Sequence, residues 1–210
     1  MVGGRLCAMS NPPAEATDDH FRDEDWYAAD LTGARFVDCV FSDVDLTEGT
    51  TSGALFERCT FHGGRFNAST HIGSAFVGCD FRRTSFFDAT FEGCKLSGSE
   101  FSGCTLRPMK VTGGVWRGVS LRGADLSRLD LAGLDLRDSD LSLADLTDAV
   151  LRDAQLDGAT LEETKLRGTD LRGASLDRVD LSAASLRGTR LDLAGAVLLA
   201  ELHGAEVDTV

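Results

Sequence analysis

Large apolar residues recur at every fifth position of this chain from Phe21 to Leu191. Of the 35 positions in this series, here called the central residues, 30 are Leu or Phe, so one frame holds along most of the chain. The residue two before each central residue is usually small, and the other three are mostly polar. The remaining central residues are Trp26, Thr51, His71, Val111 and Trp116.

A period of five fits neither an α-helix, with a period of about 3.6, nor a strand, with a period of about 2. It predicts a coil in which each five-residue step turns a corner and four steps close a square of about 20 residues. The central residues and the small residues both point inward, and a large side chain beside a small one fills the narrow interior. Glycine is frequent two after the central residue, as at Gly93 and Gly113, where a turn often needs positive φ.

This pattern resembles the pentapeptide-repeat family over roughly residues 20–192. The resemblance implies an all-β fold, a right-handed quadrilateral β-helix, here with a short C-terminal helix. We expect a flexible leader over residues 1–19, the β-helix over residues 20–192, and a capping and dimerisation segment over residues 193–210. With coils stacked at ~4.8 Å, the rod is roughly 40 Å long.

Residues 20 apart should stack inside the rod. Phe41, Phe61 and Phe81 then begin an aromatic ladder, which we interpret as core packing. Thr51 and His71 are two polar central residues in succession, so their side chains either turn outward, find a backbone partner, or kink the rod. Our hypothesis is that His71 distorts its coil locally and does no chemistry.

Five cysteines occupy the small inward position, in a column that offers parallel thiols and not a tetrahedral metal site. Their side chains point the same way, so we interpret them as buried thiols and not as disulfides. No serine or cysteine has a histidine and an acid placed for nucleophilic catalysis. The sequence therefore predicts no enzyme, no cofactor and no metal. The five are Cys39, Cys59, Cys79, Cys94 and Cys104.

The C-terminal segment leaves the five-residue frame and predicts a helix between Asp192 as N-cap and Gly204 as C′ stop. A solenoid needs such a cap, because its last coil exposes core and strand edges. The helix is more apolar than one cap requires, so we expect a homodimer through it. The expected contact residues are Val197, Leu198, Leu199 and Leu202.

The net charge of −13 repels nucleic acid and anionic membrane and attracts basic surfaces. No run of 18 apolar residues would span a bilayer, and no export signal stands at the N-terminus, so we expect no membrane contact and a cytoplasmic location.

The outward carboxylates are the candidate partner-binding residues. Face 1, with central residues from Phe21 to Leu181 in steps of 20, is the most acidic by outward charge. Its part beyond Leu121 is expected to carry acids only. Face 2, with central residues from Trp26 to Leu186, adds further acids and turns basic near its end. The predicted contacts are Asp43, Asp45, Glu48, Glu100, Asp140, Asp145, Asp148, Glu162 and Glu163.

A narrower resemblance rests on residues 21–25 (FRDED), 71–76 (HIGSAF), 104–109 (CTLRPM) and 198–207 (LLAELHGAEV). These stretches are similar to the gyrase-interacting pentapeptide-repeat proteins of the MfpA, Qnr and AlbG type. The lack of projecting loops favours the MfpA side. The resemblance implies an acidic DNA mimic that binds DNA gyrase or topoisomerase IV and inhibits it, protects it from quinolone-like or natural-product poisons, or does both. Two alternatives stay open, an interaction module for another basic protein and a purely structural rod.

Overall fold

The computed structural model describes residues 11–208, so the first ten residues of the expected leader and the last two of the C-terminal segment lie outside it. The elements in chain order are β1 (Glu15–Thr17), β2 (His20–Arg22), β3 (Arg35–Val37), β4 (Val40–Ser42), β5 (Thr50–Ser52), β6 (Leu55–Glu57), β7 (Thr60–His62), β8 (Thr70–Ile72), β9 (Ala75–Val77), β10 (Asp80–Arg82), β11 (Ala89–Glu92), β12 (Glu100–Ser102), β13 (Met109–Thr112) and α1 (Leu193–Leu202). Within this part of the chain, no helix is long and apolar enough to cross a bilayer.

Every strand pairs in parallel with the strand 20 residues away, which confirms the predicted four-step coil. Face 1 carries the sheet β2-β4-β7-β10-β12. Face 3, with central residues from Leu31 to Leu191, carries β5-β8-β11-β13. Face 4, with central residues from Phe36 to Leu176, carries β1-β3-β6-β9. On face 2 and in the C-terminal half, single-residue bridges in the same register join neighbouring coils, as far as Asp170↔Arg190.

Pairing begins inside the segment expected to be a leader. Strand β1 lies at Glu15–Thr17 and pairs with Arg35–Val37 of the next coil. The paired coil therefore extends five residues further toward the N-terminus than the frame of central residues indicates.

The corners share one backbone conformation. The residue two after each central residue, from Asp18 to Gly188, has positive φ, and only Pro108 and Ala183 depart from this among the described corners. Glycine fills many corners, as predicted, but Asp, Glu, Arg, Ala and Leu fill others, including Leu143 at φ 63°. Asp adopts this left-handed conformation at low cost, which explains how corners carry carboxylates.

The aromatic ladder is confirmed. Phe41 and Phe61 stack with ring centroids 4.6 Å apart and Phe61 and Phe81 with centroids 4.7 Å apart, while Phe81 and Phe101 are 4.8 Å apart. These spacings equal the strand spacing of ~4.8 Å, so each ring rests on the ring of the neighbouring coil.

The thiols lie where the sequence places them. Cys39, Cys59, Cys79 and Cys94 are buried and free, whereas Cys104 is only half-buried. Burial raises the pKa of the Cys104 thiol to about 11, so this thiol is protonated at neutral pH.

The predicted distortion at His71 is wrong. Thr51, His71 and Phe91 keep the regular register, and the His71 side chain points inward with 1% exposure. Its Nδ1 lies 2.9 Å from Thr51 Oγ1, and its Nε2 lies 2.8 Å from Ser69 Oγ. Both ring nitrogens therefore have side-chain partners inside the core, and the coil has no reason to kink.

The partners fix the direction of every bond in this buried network. The Ser69 hydroxyl donates to the Phe66 carbonyl at 2.7 Å, so Ser69 Oγ accepts from His71 Nε2–H. His71 Nδ1 is then the acceptor for the Thr51 hydroxyl. Thr51 Oγ1 lies 2.8 Å from Ser74 Oγ, which completes the network. A neutral imidazole satisfies all these bonds, and burial lowers the His71 pKa to about 3.

We predict that His71 makes folding stability fall as the pH drops. Above the ordinary pKa of 6.5, the residue is neutral in both states. Between 6.5 and about 3, only the unfolded chain binds the proton, so the free energy of unfolding should fall by about 1.4 kcal/mol per pH unit. Denaturant unfolding of wild type and H71L at pH 7, 6 and 5 measures this difference.

H71L should lack that contribution, while H20L at an exposed position should keep the wild-type slope. Parallel profiles for wild type and H71L would show that the buried imidazole titrates normally.

Candidate functional site

The nine predicted carboxylates fall into two structural classes. Asp45, Asp140 and Asp145 stand directly before a central residue, and their Oδ1 atoms accept from the backbone N–H two residues later. Such Asx bonds close the turn into the next step of the coil. These three aspartates are therefore part of the scaffold as well as of its surface.

The same three aspartates also face basic side chains. Arg65 lies 2.6 Å from Asp45, and Lys165 lies 3.2 Å from Asp145. Burial raises the pKa of Asp45, but hydrogen bonds from Arg65 and Thr47 outweigh it and hold that pKa below its usual value. The scaffold aspartates thus present less uncompensated charge than the sequence suggests.

The expectation that face 1 carries only acids beyond Leu121 fails at Asp140. Arg122 approaches this carboxylate to 3.9 Å from the coil below. The register of 20 brings the two within reach, since Arg122 follows one central residue and Asp140 precedes the next in its column.

The other six predicted carboxylates are exposed, and no ion pair holds any of them within the described chain. Five of them stand at corners or beside them, where a carboxylate does not close a turn, and Glu100 stands directly before the central residue Phe101. Glu48 accepts a hydrogen bond from Tyr27 and raises the pKa of that phenol. These residues are the carboxylates free to meet a partner: Asp43, Glu48, Glu100, Asp148, Glu162 and Glu163.

The predicted residues do not form one patch. Asp43, Asp45 and Glu48 lie in one coil near the N-terminus, whereas the five from Asp140 to Glu163 lie near the C-terminus. Five coils at ~4.8 Å separate Asp45 from Asp145, so the two groups are about 24 Å apart along the rod. Glu100 lies between them.

The densest charge lies in a region from which the site prediction takes only Asp43, Asp45 and Glu48. The first two coils, residues 11–50, carry eleven carboxylates against two arginines. Asp18, Asp19 and Asp23 are exposed there, and Asp18 and Asp23 occupy positive-φ corners. A count of charge by coil, in place of a count by face, would have found this acidic tip, defined here as residues 11–50.

The C-terminal helix is present with the predicted caps. Asp192 accepts from the Gly195 N–H at 2.9 Å, and its second oxygen accepts from the Gly173 N–H of the last coil. Leu198 and Leu199 pack against the core, but Leu202 is 37% exposed. Sequence reasoning missed the most exposed leucine of the helix, at position 193.

That residue, Leu193, is 80% exposed. Helix α1 thus has apolar side chains toward the rod and away from it. Within residues 11–208, no cluster of three His, Cys, Asp or Glu is placed to hold a metal ion. The outward groups include carboxylates and, at the helix, leucines, and both suit contact with another protein.

Two family profiles match the chain. The first, "Pentapeptide repeat region", matches residues 84–161, and the second, "Pentapeptide repeats (8 copies)", matches residues 27–67 and 154–192. Together they span well over half of the sequence. The chain is a pentapeptide-repeat protein. The right-handed quadrilateral β-helix expected for these repeats is confirmed.

The pentapeptide-repeat fold seen here is similar to that of QnrB1, a plasmid-mediated fluoroquinolone resistance protein. A trypsin-treated variant of QnrB1 gives a TM-score of 0.67 at 19% identity, covering 92% of this chain and 97% of that chain. Full-length QnrB1 gives 0.61 at 17% identity, with 91% and 100% covered. At this identity the likeness concerns the fold alone. No curated protein sequence matches the chain.

We predict that the two classes of carboxylate differ in stability. D145A removes the bond to the Thr147 N–H and the contact with Lys165, so it should lower the free energy of unfolding by about 1 kcal/mol. E162A, at an exposed position, should stay within about 0.5 kcal/mol of wild type. Denaturant unfolding at pH 7 measures both.

The loss in D145A should shrink as the pH falls below the ordinary aspartate pKa of 3.8, since the native pKa of Asp145 is lowered and the stabilising carboxylate becomes protonated. Equal losses for the two variants at pH 7 would mean that turn closure does not depend on Asp145.

Proposed function

We propose that the protein is an acidic rod that binds a type II topoisomerase, DNA gyrase or topoisomerase IV, where duplex DNA otherwise lies. Binding would inhibit the enzyme, protect it from quinolone-like or natural-product poisons, or do both, as drug resistance or self-immunity. The fold shared with a fluoroquinolone resistance protein supports this target. A partner that acts on the chromosome would place the protein in the cytoplasm.

The charge density of the acidic tip carries the proposal. Two coils span about 10 Å at ~4.8 Å each. Duplex DNA carries about 6 charges over the same length. The tip has nine more carboxylates than arginines, and Arg58 and Arg65 of the next coil neutralise Asp38 and Asp45. The tip therefore matches the charge density of DNA, although the chain as a whole, at −13, does not.

A basic DNA-binding surface attracts such a rod by long-range electrostatics. In this proposal residues 20–192 present the surface, and residues 193–210 join two copies. Of the nine predicted carboxylates, Asp43, Asp45 and Glu48 lie in the tip, and the other six extend the contact beyond it. The stretches at 21–25 and 71–76 support the MfpA side of the gyrase-interacting group.

The second part of the proposal is a homodimer through helix α1. The exposed Leu193 and Leu202 leave apolar surface at the end of the rod, and a two-fold contact between identical ends is the commonest way to cover it. Two rods end to end would span roughly 80 Å, with an acidic tip at each outer end.

Two other functions stay possible for this surface, an interaction with another basic protein and a purely structural rod. Neither has a specific observation in its favour beyond the charge itself. The topoisomerase experiment below separates the proposed target from both.

We predict that the purified protein inhibits DNA supercoiling by gyrase and that inhibition weakens as salt rises, because screening shortens the reach of exposed charge. Neutralising the tip with D18N, D19N, D23N and E24Q should raise the concentration needed for inhibition at least about tenfold. Asn suits the left-handed corners at 18 and 23, so the fold should remain.

The comparison variant reverses Asp140, Glu162 and Glu163 to Lys, at the other end of face 1. Its inhibition should weaken less, since Asp140 already faces Arg122. A larger loss there would move the contact to the C-terminal end. No effect of the wild type on gyrase or topoisomerase IV, with or without a quinolone, would overturn the proposed target.

We predict that L193E together with L202E converts a dimer into a folded monomer. Both side chains are exposed, so the substitutions spare Leu198 and Leu199, which pack against the core. Light scattering should show the mass halve. The control L143E places a charge at an exposed leucine in the middle of the rod and should leave the mass unchanged. A wild-type mass of one chain would refute the dimer.

A further inference from the structure

The backbone ladder between coils repeats three hydrogen bonds at each step. In the C-terminal half, the Leu126 N–H donates to the Asp145 carbonyl at 2.8 Å and the Arg128 N–H donates to the Thr147 carbonyl at 2.9 Å. The Asp145 N–H donates back to the Ala124 carbonyl at 2.9 Å. These bonds hold neighbouring coils together on every regular face.

The ladder has its widest break in the middle of the rod. A smaller break lies on face 1 between Thr160 and Asp180, where the Leu161, Glu163 and Asp180 N–H groups lack their assigned acceptors in the described coils. At the wider break, Thr105 bridges to Ser85 below, and Asp125 bridges to Asp145 above, but no bridge joins Thr105 to Asp125 in the described coils. Along the same gap, across residues 103–132 of the described chain, six N–H groups lack the acceptor that the repeat assigns to them. They belong to Gly103, Leu106, Val111, Gly113, Asp125 and Asp130.

Pro108 explains where the break begins. It occupies a corner, where the repeat requires positive φ and an N–H donor toward the next coil. Proline holds φ near −65° and has no N–H, so it supplies neither. Beneath this corner the Asp88 N–H donates to the Pro108 carbonyl at 2.5 Å, one residue beyond the acceptor that the repeat assigns. The ladder is therefore displaced by one residue beneath this corner and lost above it.

The opposite side of the rod remains closed. On face 1, the Phe101 N–H donates to the Ser120 carbonyl at 3.0 Å, and the Ser120 N–H donates to the Ser99 carbonyl at 2.8 Å. On face 4, the Trp116 N–H donates to the Asp135 carbonyl at 2.8 Å. The coils on either side of the gap are thus joined on faces 1 and 4 and parted on faces 2 and 3.

The core is more open along the gap. Cys104 and Val111 are half-buried, whereas Cys94, two steps before Cys104, and Phe91, one coil before Val111, are buried. A side-chain contact replaces part of the lost ladder on face 2, where Arg107 Nη1 lies 2.9 Å from Asp125 Oδ1. A surface ion pair of this kind is weak compared with a continuous ladder.

We infer that the rod consists of two blocks, residues 15–113 and 115–192, joined by a hinge on faces 1 and 4. The gap on faces 2 and 3 opens and closes as the blocks bend, with Arg107 and Asp125 as its latch. The smaller break near Thr160 lies on one face only, so the second block stays paired on its other three faces. The aromatic ladder lies in the first block and the leucine core in the second, and Trp116 of the second block packs on Phe101 of the first on the hinge side, with ring centroids 6.4 Å apart. This inference does not depend on the proposed target.

Hydrogen exchange of the unmodified protein tests the gap. Gly93, Gly113 and Gly133 occupy the same corner of face 3 in three coils. The Gly93 and Gly133 N–H groups donate to Thr112 and Arg152, respectively. Their amides should exchange at least about tenfold more slowly than that of Gly113. Equal protection of all three would show a closed ladder and overturn the inference.

Pulsed electron resonance tests the bending. Spin labels carried by non-canonical residues at Ser52 and Ala132 span four coils across the gap, and labels at Thr32 and Thr112 span four coils within the first block. All four positions lie in the same exposed column, and the two residues of each pair are about 19 Å apart at ~4.8 Å per coil. The distance distribution should be broader for the pair that crosses the gap.

P108G gives the corner an N–H and a residue that accepts positive φ. It should narrow the distribution of the crossing pair and slow exchange at Gly113. The control A183G, at the other irregular corner, should change neither. Equal widths for both label pairs in the wild type would establish a single rigid rod and overturn the hinge.

Discussion

Stacking at a register of 20 residues is the constraint on which the structure depends. It places each inward ring on its copy one coil away, as in the 4.6 Å contact of Phe41 with Phe61. It also aligns outward residues in columns, so that Arg65 meets Asp45. The same register orders the core and the surface. It therefore decides both which side chains surround a carboxylate and where that carboxylate lies along the charged rod. Where one residue cannot meet the backbone requirement, as at Pro108, the ladder parts.

Much of the fold is readable from the sequence, because a period of five leaves few ways to bury Leu and Phe. The ladder, the buried thiols and most of the corners follow from it, whereas the helix caps follow from Asp192 and Gly204, where the period ends. His71 was misread because its partners Thr51 and Ser69 lie 20 and 2 residues away, and only the stacked coil shows that they converge. The break above Pro108 also escaped notice, since the hydrophobic frame continues through it. A periodic pattern of hydrophobic residues predicts the repeat but does not report the backbone conformation at a single corner.

The candidate surface was harder to predict than the fold. Counting charge by face treats every carboxylate alike, whereas the structure separates aspartates that close turns, such as Asp145, from exposed ones, such as Glu162. It also shows that charge varies along the axis more than around it, with the highest density in residues 11–50. A rod that resembles DNA at its tips and is nearly balanced elsewhere would engage a basic groove by its ends, and dimerisation through α1 would present two such ends.

We propose that this rod takes the place of DNA on a type II topoisomerase, and competition binding is the measurement that decides it. Fluorescently labelled protein is bound to DNA gyrase at low salt, and unlabelled duplex DNA is added while fluorescence anisotropy is followed. Duplex DNA should displace the protein, and the protein should displace labelled DNA in the reverse titration. Simultaneous binding of both, with no loss of anisotropy at saturating DNA, would contradict it.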